Sequence, residues 1–138
     1  MRYVLMVALV VVGIIHLLPL AGVAGPERLL ALYGVELSDP DLVLLMRHRA
    51  VLFGILGGFL VLSAFVPALQ PSALMMGFTS VASFLGLALT GGPVSPAIAR
   101  IVAADWVALG ALVVGFVAYA CLRQGARGAV RQVTPDRA

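Results

Sequence analysis

Lysine is absent from the chain, and all nine basic residues are arginine. The positive groups are therefore planar and permanently charged, which by itself identifies no partner. Cysteine occurs once, at Cys121, so neither a disulfide nor a cysteine-based metal cluster can form within one chain, and the lone thiol reads as a small packed hydrophobe. Charge of either sign is scarce. Only 11% of the 138 residues are charged against 62% apolar, and the mean hydropathy of +1.13 lies far outside the soluble range. Phosphate-cradling glycine loops, a nucleophile elbow and Ser/His/Asp spacing are also missing. His16 and His48 stand in neither H-x-x-H nor H-x-x-x-H spacing, and the neighbouring arginines would repel a cation, so no metal is expected. A pI near 9.8 would suggest nucleic acid for a soluble chain. Here the positive charge divides between helix ends and a tail, which membrane topology explains without a nucleic-acid partner.

What the sequence does contain is four apolar runs, Tyr3 to Leu20, Leu42 to Val66, Ala73 to Leu89 and Ile101 to Leu122. Each is about long enough to cross a ~30 Å hydrocarbon layer at 1.5 Å per residue. Gly22, Gly25 and Pro26, then Pro67 and Pro71, then Gly91, Gly92, Pro93 and Pro96 break the runs apart. The expectation is an all-α fold, an integral membrane bundle of four transmembrane helices over residues 1–122, followed by a basic cytoplasmic tail over residues 123–138 that is disordered toward its end. Arg2, the apolar stretch after it and the small residues up to Ala24 resemble a secretory signal. The apolar run continues through His16 to Leu20, longer than a typical signal core, and is read as a retained helix.

Between the first two spans, Ala21 to Asp41 is the one sizeable polar connection. Pro26 opens a short helix with Glu27 in its first turn, Gly34 suits the left-handed residue that ends it, and Leu29, Leu30 and Tyr33 share a side. The reading is a short interfacial helix between helices 1 and 2. Ser38 is the expected N-cap of the second span, with Asp39, Pro40 and Asp41 in its first turn. Four crossings place both termini on one side, with Arg2, Arg123, Arg127, Arg131 and Arg137, against Arg28, Arg47, Arg49 and Arg100 on the other. That excess orients both termini to the cytoplasm of an inner (plasma) membrane.

The stretch LLMRHRAVLFGILGG, Leu44 to Gly58, sets three basic-capable side chains at the head of an apolar helix. At about 100° per residue, Arg47, Ala50, Gly54, Gly57, Gly58 and Val61 fall on one side, and small residues at that spacing mark a buried stripe. Arg47 is then aimed into the bundle about 9 Å from Asp41, with His48 and Arg49 to either flank. An arginine there needs a partner or water. Asp105 is the acidic residue that falls within an apolar run, at similar depth on the fourth span. His16, Arg47, Arg100 and Asp105 converge in the non-terminal third, with His48, Arg49, Trp106 and Glu27 around them. The third span adds Thr79, Ser83, Gly86 and Thr90 on a mildly polar face. The alternative for Arg47 and Asp105 is a structural ion pair fixing helix register, for His48 and Arg49 snorkelling to head groups, for His16 a hydrogen-bonded core histidine, and for Trp106 and Tyr119 interfacial anchoring.

GIIHLLPLAGVAGPERLLALYGV from Gly13 to Val35, LLMRHRAVLFGILGG, and ARIVAADWVALG from Ala99 to Gly110 together resemble the DoxX-like group of small bacterial four-helix membrane proteins. The resemblance extends over most of the chain up to Leu122. It implies association with quinone-linked oxidoreductases or redox-stress systems. No thiol chemistry here would carry over the thiosulfate oxidation for which the group is named. The functional expectation is a pocket for an amphipathic quinone- or lipid-like molecule lined by His16, Arg47, His48, Arg100, Asp105 and Trp106, in an accessory subunit of a redox complex. A quinone is the one cofactor suggested, and none is required by the sequence. Two other classes stay open: a membrane enzyme doing isomerase-type acid/base chemistry through His16 and Asp105, and a purely structural or assembly protein, with the small stripes permitting a homo-oligomer.

Overall fold

The computed structural model describes residues 1–34, 36 and 38–133, with side chains through Ala126. The described residues form helices and their connections, in the order α1 (Arg2–Leu17), a 3-10 segment (Leu18–Ala24), α2 (Pro26–Tyr33), α3 (Pro40–Phe65), a short 3-10 connector (Pro67–Leu69), α4 (Gln70–Thr90) and α5 (Pro96–Val133). Four stretches are long and apolar enough to cross a membrane: Arg2–Ala24, Pro40–Phe65, Pro67–Thr90 and Pro96–Ala126.

Local chemistry places the breaks. Gly25, at φ 134°, takes a backbone conformation that side chains disfavour, and it hands over to Pro26, which suits the first helical position. Gly34 ends α2 at φ 67° and ψ 21°, its N–H donating 2.8 Å to the Leu30 carbonyl. Leu29 and Tyr33 of α2 are buried while Leu30 faces out, so the three do not share one environment. The cap of α3 is Asp39 and not the expected Ser38: its carboxylate accepts from the Asp41 and Leu42 N–H groups at 2.8 and 3.4 Å. Pro40 explains the shift, because it fits the first helical position and holds the residue before it extended, here at φ −79° and ψ 121°. The last span does not stop at Leu122. Its helix runs on to Val133, so much of the predicted tail is helical, while the tail's end, 134–138, lies outside the described residues.

The four long helices alternate in direction. α1 packs chiefly on α3 and α5, and α4 on α5 and α3, so α1 and α4 form one diagonal, α3 and α5 the other. The dry core is Leu5, Leu9 and Val12 of α1, Leu60 and Ala64 of α3, Leu74, Val81 and Leu85 of α4, and Ala108, Leu112 and Ala118 of α5. The outer surface is apolar as well, with Val7, Ile55, Leu87, Leu89 and Val107 all more than half exposed, as suits helices surrounded by lipid tails.

The α1–α3 crossing is the tightest contact. A methyl on Gly57 would stand 2.8 Å from the Gly13 carbonyl oxygen and 3.0 Å from the Leu17 nitrogen, and one on Gly13 would stand 2.9 Å from the Gly57 oxygen. Two glycines therefore let the backbones touch, as expected of a small-residue stripe. Gly54 meets Leu20 of the 3-10 segment, whereas Gly58, predicted on the same stripe, faces open space.

Candidate functional site

Above the dry core, at the end of the bundle where α2 lies, the chain encloses a partly open cavity of about 290 Å³. Its walls come from six elements. Ile15 and His16 end α1, Leu18 and Pro19 begin the 3-10 segment, Ala31, Leu32 and Tyr33 belong to α2, Arg49 and Phe53 to α3, Phe84 to α4, and Ala97, Arg100, Ile101, Ala104 and Asp105 to α5. The cavity exists here because α3 and α5 stand on a diagonal and share almost no contact among the described residues, and α2 roofs the gap instead of a fifth long helix.

His16 forms part of the floor. It is 3% exposed and both ring nitrogens are engaged: Nδ1 lies 2.9 Å from the Val12 carbonyl oxygen, and Nε2 lies 3.2 Å from Ser80 Oγ of α4. A carbonyl can only accept, so Nδ1 carries the proton and, in the neutral ring, Nε2 accepts from the Ser80 hydroxyl. This bond joins the α1–α4 diagonal directly beneath the cavity. The Phe53 ring packs beside the imidazole with centroids 5.7 Å apart.

Arg49 supplies the cation that the sequence had assigned to Arg47. Its guanidinium lies 5.5 Å from the Tyr33 ring centroid and 5.2 Å from that of Phe53, placed over two aromatic faces that restrict it and favour its charge. Asp105, half-buried, borders the same cavity from α5. Arg100 stands at the rim, exposed. Among the described residues the side chains of Arg49, Arg100 and Asp105 make no hydrogen bond. Two guanidiniums and a carboxylate thus border an apolar-walled space with their hydrogen-bonding capacity unused.

The other predicted residues lie elsewhere. Arg47 is on the small-residue stripe, but that stripe faces α1 and the 3-10 segment, and its Nε donates 3.0 Å to the Val23 carbonyl. It caps the end of the 3-10 segment, where carbonyls lack partners of their own. The expected Arg47–Asp105 pair is therefore not formed. His48 is exposed, and Trp106 is 51% exposed on the outer side of α5; neither borders the cavity, nor does Glu27. Sequence reasoning brought His16, Arg100 and Asp105 to one place and left Arg49 at the flank. It did not single out Ser80, Tyr33 as a cavity wall, Phe53 or Phe84. The available signal was the four-residue step from Arg49 to Phe53, which puts a ring under the guanidinium on any α-helix.

No group of three or more His, Cys, Asp or Glu side chains able to hold a metal occurs among the described residues. The chain matches no protein-family model, no curated protein and no solved structure.

Proposed function

We propose that the chain is a multi-pass protein of the inner (plasma) membrane, with both termini cytoplasmic, that holds a quinone- or lipid-like molecule in the Arg49–Asp105 cavity. The DoxX-like resemblance adds the role of accessory subunit in a redox complex. α2 lies in the interface, Leu29 and Tyr33 turned to the protein and Leu30 to the acyl boundary, with Glu27 and Arg28 toward water.

The observation that carries this reading is the pairing of unused charged donors and an acceptor with apolar and aromatic walls in one cavity. Binding sites for small amphipathic molecules have that composition. At about 290 Å³ the space is at the lower end of the ~300–1,000 Å³ typical of ligand pockets, so it takes a head group and leaves an attached chain among the lipid tails outside. A quinone or ester carbonyl would accept from Arg49 or Arg100, a hydroxyl would donate to Asp105, and Phe53 and Phe84 would flank the ring or glycerol carbons. The binding reading is favoured over acid/base turnover by His16. Both of its nitrogens are occupied within the protein, so taking a proton from a substrate at Nε2 would require breaking the Ser80 bond, and giving one up from Nδ1 the Val12 bond.

The test is mass spectrometry of small molecules retained by the purified full chain. Wild type retains a quinone or lipid, and Arg49→Gln and Asp105→Asn each reduce retention about tenfold or more, the worth of one charge-assisted hydrogen bond. Unfolding temperatures stay close to wild type. Undiminished retention by both variants rejects the site.

A further inference from the structure

A second recess, of about 390 Å³, lies at the opposite end of the bundle, bordered by Arg2, Pro67, Gln70, Tyr119, Leu122 and Arg123. The Arg123 guanidinium stands over the Tyr119 ring, 5.8 Å from its centroid, which holds the charge at the edge of the recess. Gln70 is the unexpected member. It is only 7% exposed and lines the recess, yet among the described residues its side-chain amide has no hydrogen-bond partner. No described side-chain nitrogen or oxygen is both sealed off and unpartnered, so the Gln70 amide keeps an opening through which a group outside the chain can reach it.

The balance of the electrostatics favours an anion. Every described carboxylate, Glu27, Glu36, Asp39, Asp41 and Asp105, belongs to the α2 end. α1 and α4 both begin at the terminal end, with no acidic residue in the first turn and no side-chain cap, so their N-terminal dipoles add positive potential. The carbonyl end of α3 opposes them, and that of α5, ten residues beyond Arg123, does so from farther away. Height selects the kind of anion. Arg123 lies eighteen residues beyond Asp105 on α5, about 27 Å along a straight helix, and so reaches the far edge of a ~30 Å hydrocarbon layer. Head-group phosphates sit at that level.

We propose that the recess bounded by Arg2, Gln70 and Arg123 binds a phosphate-bearing anion, the head group of an anionic phospholipid in the leaflet at the chain termini. The two guanidiniums bind phosphate oxygens, the Gln70 amide donates to a third oxygen or to the glycerol hydroxyl, and Leu122 and Pro67 meet the first carbons of the lipid. A zwitterionic lipid is disfavoured because its quaternary amine finds no described carboxylate here. The site shares the membrane-spanning reading with the proposal for the α2 end but is independent of any quinone- or lipid-like ligand there.

The experiment uses the full chain in phosphatidylcholine nanodiscs doped with phosphatidylglycerol. Native mass spectrometry reads the lipids retained, and inorganic phosphate is added as a separate arm. Phosphatidylglycerol is retained in preference to phosphatidylcholine. Arg123→Gln lowers that preference about fivefold and the Arg2→Gln/Arg123→Gln pair about thirtyfold, from the electrostatic worth of each arginine near the head groups. Arg28→Gln, at an exposed arginine of α2 that borders neither the recess nor the cavity, leaves the preference unchanged, which ties the preference to the recess and not to the total number of arginines. Gln70→Leu keeps both charges and suits burial, so it remains informative if the double variant fails to fold, and it lowers the preference severalfold. Equal retention of the two lipids, or an undiminished preference in the arginine pair or in Gln70→Leu, overturns the proposal. Displacement of phosphatidylglycerol by millimolar inorganic phosphate assigns the recess to the free anion and overturns the lipid.

Discussion

On one face of α3, Gly57 comes to backbone contact with α1, with Ala50 buried and Gly54 against Leu20 beside it; about 40° and 80° round the same helix from Gly57, Phe53 and Arg49 border open space. The first face is made of residues that subtract volume, and its partner closes on it. The second carries a ring and a guanidinium, and the helix across from it, α5, stays on the far diagonal. A helix with nearly even hydrophobicity all round therefore has two distinct jobs, and what separates them is side-chain size. Arg47 and Arg49, two residues apart, fall on opposite sides of that division: one fastens the 3-10 segment, the other points its charge into a cavity.

The largest effect is expected from breaking the closed face. Gly57→Val places side-chain atoms against the Gly13 carbonyl and the Leu17 nitrogen, which are backbone and cannot rotate away. Overpacking of this kind costs about 1–3 kcal/mol, and the upper end applies where both neighbours are backbone. Gly58→Ala, one residue on, meets nothing within 4 Å and should be neutral or stabilising by up to about 1 kcal/mol. Thermal unfolding of the two variants in detergent checks the contrast. Equal losses would mean that the glycine seam is not what holds α1 to α3.

A smaller effect tests where seam and cavity meet. Ser80→Ala removes the partner of His16 Nε2 and leaves that nitrogen unsatisfied under the cavity floor, at a cost of about 1–2 kcal/mol. Ser83→Ala is the comparison. Its hydroxyl donates only to the Ser80 carbonyl within α4, on an exposed face, so its loss should be close to zero. A Ser80→Ala protein as stable as wild type would show that the α1–α4 diagonal closes without the His16 bond.

The four long helices, the Gly25 to Gly34 frame of α2 and the small-residue stripe on α3 were legible in the sequence because each follows from the chemistry of neighbouring residues. Hydropathy sets the spans, proline and glycine set the breaks, and a 3.6-residue period sets the stripe. The choice of neighbour was not legible. Periodicity places Arg47 on the stripe but does not say whether α1 or α5 lies opposite, and a shared depth with Asp105 suggested α5. What decides it is the Leu18–Ala24 segment, which continues α1 as a tighter helix and brings the Val23 carbonyl to Arg47. Ser80 was hidden for a related reason. Thr79, Ser80 and Ser83 differ only in which way each points, and that depends on how α4 is rotated against α1. The aromatic lining draws on α2, α3 and α4, and no local pattern links Tyr33, Phe53 and Phe84.

The smallest predicted effect is the sharpest test of the division between the two arginines. Arg47→Gln removes one charge-assisted hydrogen bond at an exposed position, so it should cost no more than about 1 kcal/mol of stability. Its effect should be local. The bond fastens the last turn of the 3-10 segment to α3, and without it the amides of residues 18–24 should exchange with solvent faster while those of the α1–α3 seam keep their protection. Ligand retention should change less than about twofold, because a guanidinium engaged with Val23 contributes nothing to the cavity. Arg49→Gln should show the reverse, with retention lost and exchange in 18–24 unchanged. If Arg47→Gln instead lost retention as Arg49→Gln does, with the 3-10 segment still protected, both arginines would serve one site, and the two faces of α3 would not be the separate surfaces that their packing indicates.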